Sequence, residues 1–303
     1  MTKILISGGS GLVGTQLSKK LKEKGYQVAI ISRKSNKDKE IPIYAWNIEK
    51  HEIDIESLEK TDYIIHLAGL GIGEKRWSGK RMQLIIDSRV NSAQLIFDKI
   101  IENNINIKAF ITASAIGYYG SISCEKIFTE IDPPAKDFQG ECCRLWEAAA
   151  DKFGETGIRT VKIRTGVVLT KKGGALEKML IPVKMGIGSA LGSGKQYIPW
   201  IHIDDLCGIY IKAIEDEMMQ GAYNAVTTDY KTNFEFTGLL AKILKKPFFF
   251  PAVPAFIFRL IFGKMSEIIL RGSRISSDKI KSSGYIFQFP ELENALKNLI
   301  LKQ

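Results

Sequence analysis

Lys3-Ile4-Leu5-Ile6-Ser7-Gly8-Gly9-Ser10-Gly11-Leu12-Val13-Gly14 passes from a short apolar run through a glycine turn into a helical pattern. A run this uniformly apolar reads as a strand buried on both faces of a parallel sheet. After the turn, Leu12, Val13, Leu17 and Leu21 share one helical face, and Gly25 stops the helix. The glycines close a strand and open a helix, and that position says more than their GxxGxxG spacing. There they permit a tight turn and close backbone approach, and they aim free helix N–H groups at a pyrophosphate. Gly8, Ser10, Gly11, Leu12 and Val13 are the expected contacts. A P-loop is excluded, because no Gly-Lys-Ser/Thr follows.

The next strand, Gln27-Val28-Ala29-Ile30-Ile31, ends in Ser32-Arg33-Lys34. An acidic residue there would take the adenosine ribose 2′-hydroxyl and repel a phosphate. An arginine fork with a hydroxyl beside it suits phosphate oxygens instead. Ser32 and Arg33 therefore predict NADP(H) rather than NAD(H). Strand and helix go on alternating through Tyr63–Ala68, Lys108–Thr112 and Thr160–Arg164, as right-handed βαβ units do. The fold class is α/β, a Rossmann-type doubly wound parallel sheet. Past residue 170 the rhythm breaks into a glycine-rich stretch, and residues 230–303 read as a helical tail. Two later runs, Ile198–Ile203 and Ala222–Val226, look like returns to the sheet. The expected division is a cofactor domain of 1–170 plus 198–228, and a small, mostly helical, discontinuous substrate domain of 171–197 plus 229–303.

The chain has 303 residues and a net charge of +10, enough for two domains and ordinary in composition. Its basic residues are scattered, so no nucleic acid partner is expected. Four cysteines without CxxC spacing and three histidines predict free thiols and no metal. The apolar stretch at 247–262 carries prolines and Arg259 and is too short to span a bilayer. No membrane association and a cytoplasmic, monomeric or homodimeric protein are the expectations. Phe248–Phe250, Phe256, Phe258 and Phe262 are read as the core of the small domain, with a hydrophobic ligand slot or a subunit interface as alternatives.

Several further motifs fall in order along the chain: Leu67-Ala68-Gly69 with Lys75-Arg76-Trp77, Ser114-Ala115-Ile116-Gly117-Tyr118-Tyr119-Gly120, and Cys143-Arg144-Leu145-Trp146-Glu147. Arg164-Thr165-Gly166-Val167, Gly192–Tyr197 and Trp200-Ile201-His202-Ile203-Asp204-Asp205 come after them. With these motifs the chain resembles the extended short-chain dehydrogenase/reductases over nearly its whole length. More narrowly, it is similar to the atypical sugar-nucleotide-epimerase-like (YfcH-type) family with its small C-terminal domain. The resemblance implies that Leu67, Ala68 and Gly69 pass along the cofactor's adenosine and ribose. It also implies that Thr112, Ala113 and Ser114 lie at the nicotinamide ribose, with Arg164, Thr165, Gly166 and Val167 behind the nicotinamide.

The superfamily's Tyr and Lys, four residues apart on one helix, fall here on Cys143 and Glu147, so the usual pair is absent. Tyr118 and Tyr119 are the substitute proton donors. Glu147 is a general base, a substrate hydroxyl acceptor, or the ion-pair partner of Arg89 or Arg164. Cys143 reads as an inert thiol and His202 as a residue orienting Asp204 or Asp205 at a helix start. Lys75, Arg76, Trp77, Gln196, Tyr197 and Trp200 are expected to line a cleft for a small-molecule substrate. The function implied is an NADP(H)-dependent oxidoreductase or epimerase-like enzyme acting on a polar sugar-type or nucleotide-sugar substrate. The alternative is a non-catalytic NADP(H)-binding sensor or scaffold.

Overall fold

The computed structural model describes residues 1–301. The first strand, β1 (Lys3–Ser7), is buried at every position, as its composition requires. It is followed by α1 (Leu12–Glu23), β2 (Gln27–Ser32), β3 (Ile43–Asn47), β4 (Glu52–Ile53) and β5 (Tyr63–His66). Then come α2 (Gly79–Glu102), β6 (Ala109–Ala115), β7 (Ile127–Phe128), α3 (Phe138–Glu155) and β8 (Arg159–Thr165). All of these strands except β7 join β11 (Gly221–Ala225) in one eight-stranded sheet, in the order β11-β8-β6-β5-β1-β2-β3-β4. Every pairing in it is parallel except β3 with β4. Winding reverses at β1, which lies between β2 and β5, and the crevice at that reversal is where open α/β sheets bind ligands.

The remaining elements are β9 (Val167–Leu169), α4 (Gly174–Lys184), β10 (Trp200–His202), α5 (Ile203–Glu215) and α6 (Asn233–Ile243). The chain ends with α7 (Ala255–Phe262), α8 (Glu267–Leu270), β12 (Arg274–Ile275), α9 (Asp278–Ser282) and α10 (Leu292–Leu301). Leu17 and Leu21 of α1 and Leu206, Ile209 and Tyr210 of α5 pack on one face of the sheet. Ala93, Leu95 and Ile96 of α2 and Ala149, Ala150 and Phe153 of α3 pack on the other. A third apolar core joins Leu176 and Val183 of α4, Phe236 and Leu240 of α6, and Leu292 and Leu296 of α10 around Trp200.

The two expected returns to the sheet part ways. Residues 221–225 do join it beside β8, but Trp200–His202 pairs with Val167–Leu169 in a separate two-stranded ladder. Gly166 is the reason: it turns the chain between β8 and β9, where an added Cβ would lie 2.7 Å from Val226 and 2.8 Å from the Pro199 carbonyl. The C-terminal segment is fastened to α5 by Asp205, which is fully buried. Its carboxylate accepts the N–H groups of Gln288 (2.7 Å) and Phe289 (3.0 Å) and the Tyr285 hydroxyl (3.2 Å). Burial still pushes its carboxyl pKa up. Among the described residues no helix is long and apolar enough to cross a membrane.

Candidate active site

At the reversal, Gly8 adopts φ +73°, and a Cβ there would lie 2.8 Å from the Leu67 carbonyl carbon. A Cβ on Gly14 would meet the Gly8 carbonyl oxygen at 2.4 Å, so α1 can begin this close to β1 only on glycine. No side chain caps α1, and the amides of Leu12, Val13 and Gly14 find no acceptor among the described residues. Ser10, Gly11 and Leu12 are exposed, so the turn and the start of the helix face open space, with Val13 half-buried and Gly14 buried behind them. Across the crevice Arg33 is exposed, with no hydrogen-bond or ion-pair partner among the described residues, just past half-buried Ser32. Beneath this surface His66 is buried, with its ring nitrogens bonded to Ser7 (2.6 Å) and Ser92 (3.1 Å). Burial lowers its pKa to about 4.

A cavity of about 600 Å³ opens at the C-terminal ends of β6 and β8 and runs between α3, α4 and α7. Ala115, Thr165, Gly166 and Val167 form its sheet end, with Gln139, Cys143 and Trp146 of α3 beside them. Arg89 borders it too, packed against Gly69 and set 4.8 Å from the Trp146 ring. Among the described residues only its Nη1 is bonded, to the Ile85 carbonyl (2.9 Å) and Ser88 (3.4 Å).

Under the cavity floor lies a closed polar network. Arg164 and Glu147 are 3% and 4% exposed, and the guanidinium grips the carboxylate in a fork: Nε to Oε1 at 2.8 Å and Nη2 to Oε2 at 2.9 Å. Ser114 donates to the same Oε1 at 2.7 Å. Arg164 Nη1 donates to the Tyr119 hydroxyl (3.0 Å), which donates in turn to Asn224 Oδ1 (2.7 Å). The guanidinium sits 3.5 Å from the Tyr118 ring centroid. Burial pushes the Tyr119 phenol up to about 12. The Cys143 thiol is also driven upward, chiefly by burial. Of the partners open to Glu147 in the sequence, the structure selects Arg164.

The expected site residues separate into groups. Thr112 is buried, with its hydroxyl turned onto the Ala113 carbonyl, and Leu67 and Ala68 are half-buried beside Gly8. Tyr119 lies on the cavity wall, whereas Tyr118 lies behind it under Arg164. Gln196 and Tyr197 line the cavity, but Trp200 is a core residue whose indole donates to the Asp229 carbonyl at 3.1 Å. Lys75 is exposed and unpaired among the described residues. Arg76 packs against Gly263, and Trp77 stacks edge-on to Phe138 in an adjoining hollow. His202 caps α5 by accepting the Asp204 amide at 3.1 Å. Of the small-domain aromatics only Phe248 packs against the third apolar core; Phe249, Phe250 and Phe256 are exposed, no residue of α7 is buried, and Phe258 and Phe262 line the cavity. Asn224 and Gln139 carry no role in the sequence reading, and Arg89, considered there as a partner of Glu147, instead borders the cavity.

Residues 4–225 match the NAD-dependent epimerase/dehydratase family, and residues 253–299 match a domain of unknown function, DUF1731. The mouse epimerase family protein SDR39U1 is 34% identical over 302 residues, covering 98% of this chain and 99% of its own. The crystal structure of human SDR39U1 (isoform 2) with NADPH superposes with a TM-score of 0.88 at 31% identity, over 100% of both chains. A nucleoside-diphosphate sugar epimerase from Corynebacterium glutamicum gives 0.81 at 26% identity, over 99% of this chain and 58% of that one.

Proposed function

The chain belongs to the NAD-dependent epimerase/dehydratase family, in its atypical short-chain dehydrogenase/reductase branch, and on that premise we propose an NADP(H)-dependent oxidoreductase or epimerase-like enzyme. One observation carries the reading: the open amides of Leu12, Val13 and Gly14 and the open guanidinium of Arg33 flank the same crevice. Donors left bare at a helix start suit a pyrophosphate, and a bare arginine fork suits a ribose phosphate. The NADPH in the human relative supports the same choice. Leu67, Ala68 and Gly69 would border the adenosine side, and Thr112, Ala113 and Ser114 the nicotinamide ribose. Arg89, with Thr165, Gly166 and Val167, would close the nicotinamide end. When bound, the dinucleotide supplies a hydride: a carbonyl carbon gains it with its electron pair, the oxygen gains a proton, and a carbinol results.

Tyr119 would hold the proton at its phenol oxygen and release it by exchanging its hydrogen bond to Asn224 for one to the substrate oxygen. A pKa of about 12 keeps it protonated near neutrality, and a developing alkoxide is the stronger base. Arg164 and Asn224 fix that oxygen, and Glu147 fixes Arg164. Glu147 is thus a positioning residue, and Tyr118 is the seat of the guanidinium. The division into 1–170 plus 198–228 and 171–197 plus 229–303 belongs to the same proposal, with Leu169 and Trp200 of the first part packed into the third apolar core of the second.

Fluorescence titration of the purified chain with both reduced cofactors tests the assignment; NADPH is expected to bind more tightly, and tighter NADH binding overturns it. Tyr119→Phe is expected to lower turnover about 10²- to 10⁴-fold with NADPH affinity unchanged. The wild-type reduction rate should show no alkaline loss below about pH 11, because the phenol stays protonated there. A second reading, a non-catalytic NADP(H) sensor, is favoured by Cys143 and Glu147 at the Tyr/Lys positions. One is a thiol with its pKa driven up and the other a carboxylate locked in an ion pair. Loss of the reduced nicotinamide absorbance with any carbonyl or sugar nucleotide decides for the enzyme.

A further inference from the structure

We propose that the substrate of this site is an apolar carbonyl compound, or its carbinol, whose hydrocarbon body fills the cavity between α4 and α7. The inference rests on the reading above for the placement of the reacting carbon at the sheet end. Most of the cavity wall is carbon, with Met179, Val183, Leu191, Phe258, Phe262 and Ile268 contributing from the small-domain side. The polar side chains on that side are bound to the protein itself. Gln196 Nε2 donates to the carbonyls of Leu191 (2.9 Å) and Ile269 (3.1 Å). Ser189 donates to the Pro251 carbonyl, Ser273 to that of Ile122, and Thr237 to that of Asn233. Asn233 Oδ1 accepts the Leu191 amide at 2.7 Å. The charged residues bordering the cavity, Lys178, Glu267 and Arg271, reach solvent, and Arg271 is paired with Glu267.

Among the described residues the polar groups of the lining without a partner are few, the Nε and Nη2 of Arg89, the Trp146 indole N–H, the Gln139 side-chain oxygen and the Tyr197 phenol among them. A sugar ring carries a hydroxyl on nearly every carbon, and each would surrender its water on entry with little to answer it here. A hydrocarbon gives up no hydrogen bond and is driven in by the area it removes from water. The helix α7 points the same way. Were its aromatics core residues they would be covered, yet Phe256, Leu260 and Ile261 are exposed while Phe258 and Phe262 face the cavity. The helix α7 is thus apolar both toward the cavity and toward solvent.

Calorimetry on the full chain, apo and NADPH-saturated, with straight-chain methyl ketones of increasing length tests this. Affinity is expected to rise about fourfold per added methylene until the cavity is full. Phe258→Ser with Phe262→Ser is expected to weaken the longest ketone about tenfold or more and leave NADPH affinity unchanged. That pair sits on a helix with no buried residue, so the fold does not depend on it. Affinity independent of chain length overturns the proposal, and so does displacement of the ketones by UDP-glucose. A chain that shows the ketone ladder but binds no NADPH upholds this inference and overturns the cofactor reading alone.

Discussion

The crevice at β1 and the cavity beyond β6 and β8 treat their polar groups in opposite ways. At the crevice the chain leaves donors bare: the amides of Leu12, Val13 and Gly14, and the fork of Arg33. Around the cavity it closes them, with Arg164 on Glu147, Tyr119 on Asn224, and Gln196 on two backbone carbonyls. Bare donors await a ligand rich in acceptors. Closed ones leave shape and hydrocarbon to do the selecting. Substitutions on the first side should therefore move affinity, and substitutions on the second should move stability.

The sharpest way to break that contrast is Arg164→Met. It strands the Glu147 carboxylate in a site 4% exposed, and a loss of about 3–5 kcal/mol is expected in chemical denaturation. Adding Glu147→Met should restore most of it; a double variant as weak as the single one would mean that the pair's packing, not its charge, was lost. Next in size is an acid effect beneath the open side. The folded pKa of His66 is about 4, below its ordinary 6.5, so the unfolded chain takes up this proton first. The contribution is whole above about pH 6.5 and drains away as pH falls toward about 4, amounting to about 3 kcal/mol. Denaturation midpoints across that window check it, and His66→Gln should flatten the slope.

Smaller again is Arg33→Ser. It should weaken NADPH about 10- to 100-fold and leave NADH affinity and melting temperature unchanged, since charge-assisted contacts of this kind are worth about 1.5–3 kcal/mol. A fall in melting temperature instead would place Arg33 on the closed side of the comparison. The smallest effect belongs to Lys75→Ala, expected to stay within about 0.5 kcal/mol in stability and to leave ligand affinity alone, because the side chain is exposed and unpaired.

The same contrast explains what the sequence disclosed. The glycine loop, the strand pattern and Arg33 are local features, each legible within a dozen residues, and they carry the parallel sheet and the cofactor crevice. The closed network is not local. Tyr119 meets Asn224 across 105 residues, and Gln196 meets Ile269 across 73. No spacing rule reaches that far. Phe258 and Phe262 were legible as apolar but not as cavity wall, because periodicity cannot tell a side chain facing a neighbour from one facing a void. Trp200 erred the other way: its setting among aromatic and polar residues suggested a cleft, and the third core claimed it.

The Asp205 clasp changes what the last module is. A carboxylate at the base of α5, far along the chain from residues 285–289, has its donors supplied by that stretch. A gene fragment ending ahead of Tyr285 would strip this α5 carboxylate of those donors and uncover the packing around it, so trimming the tail would injure the half of the molecule that was kept. Exchange of tails between relatives is constrained in the same way: a grafted C-terminus must bring backbone amides to that one oxygen pair, whatever ligand it was chosen to bind.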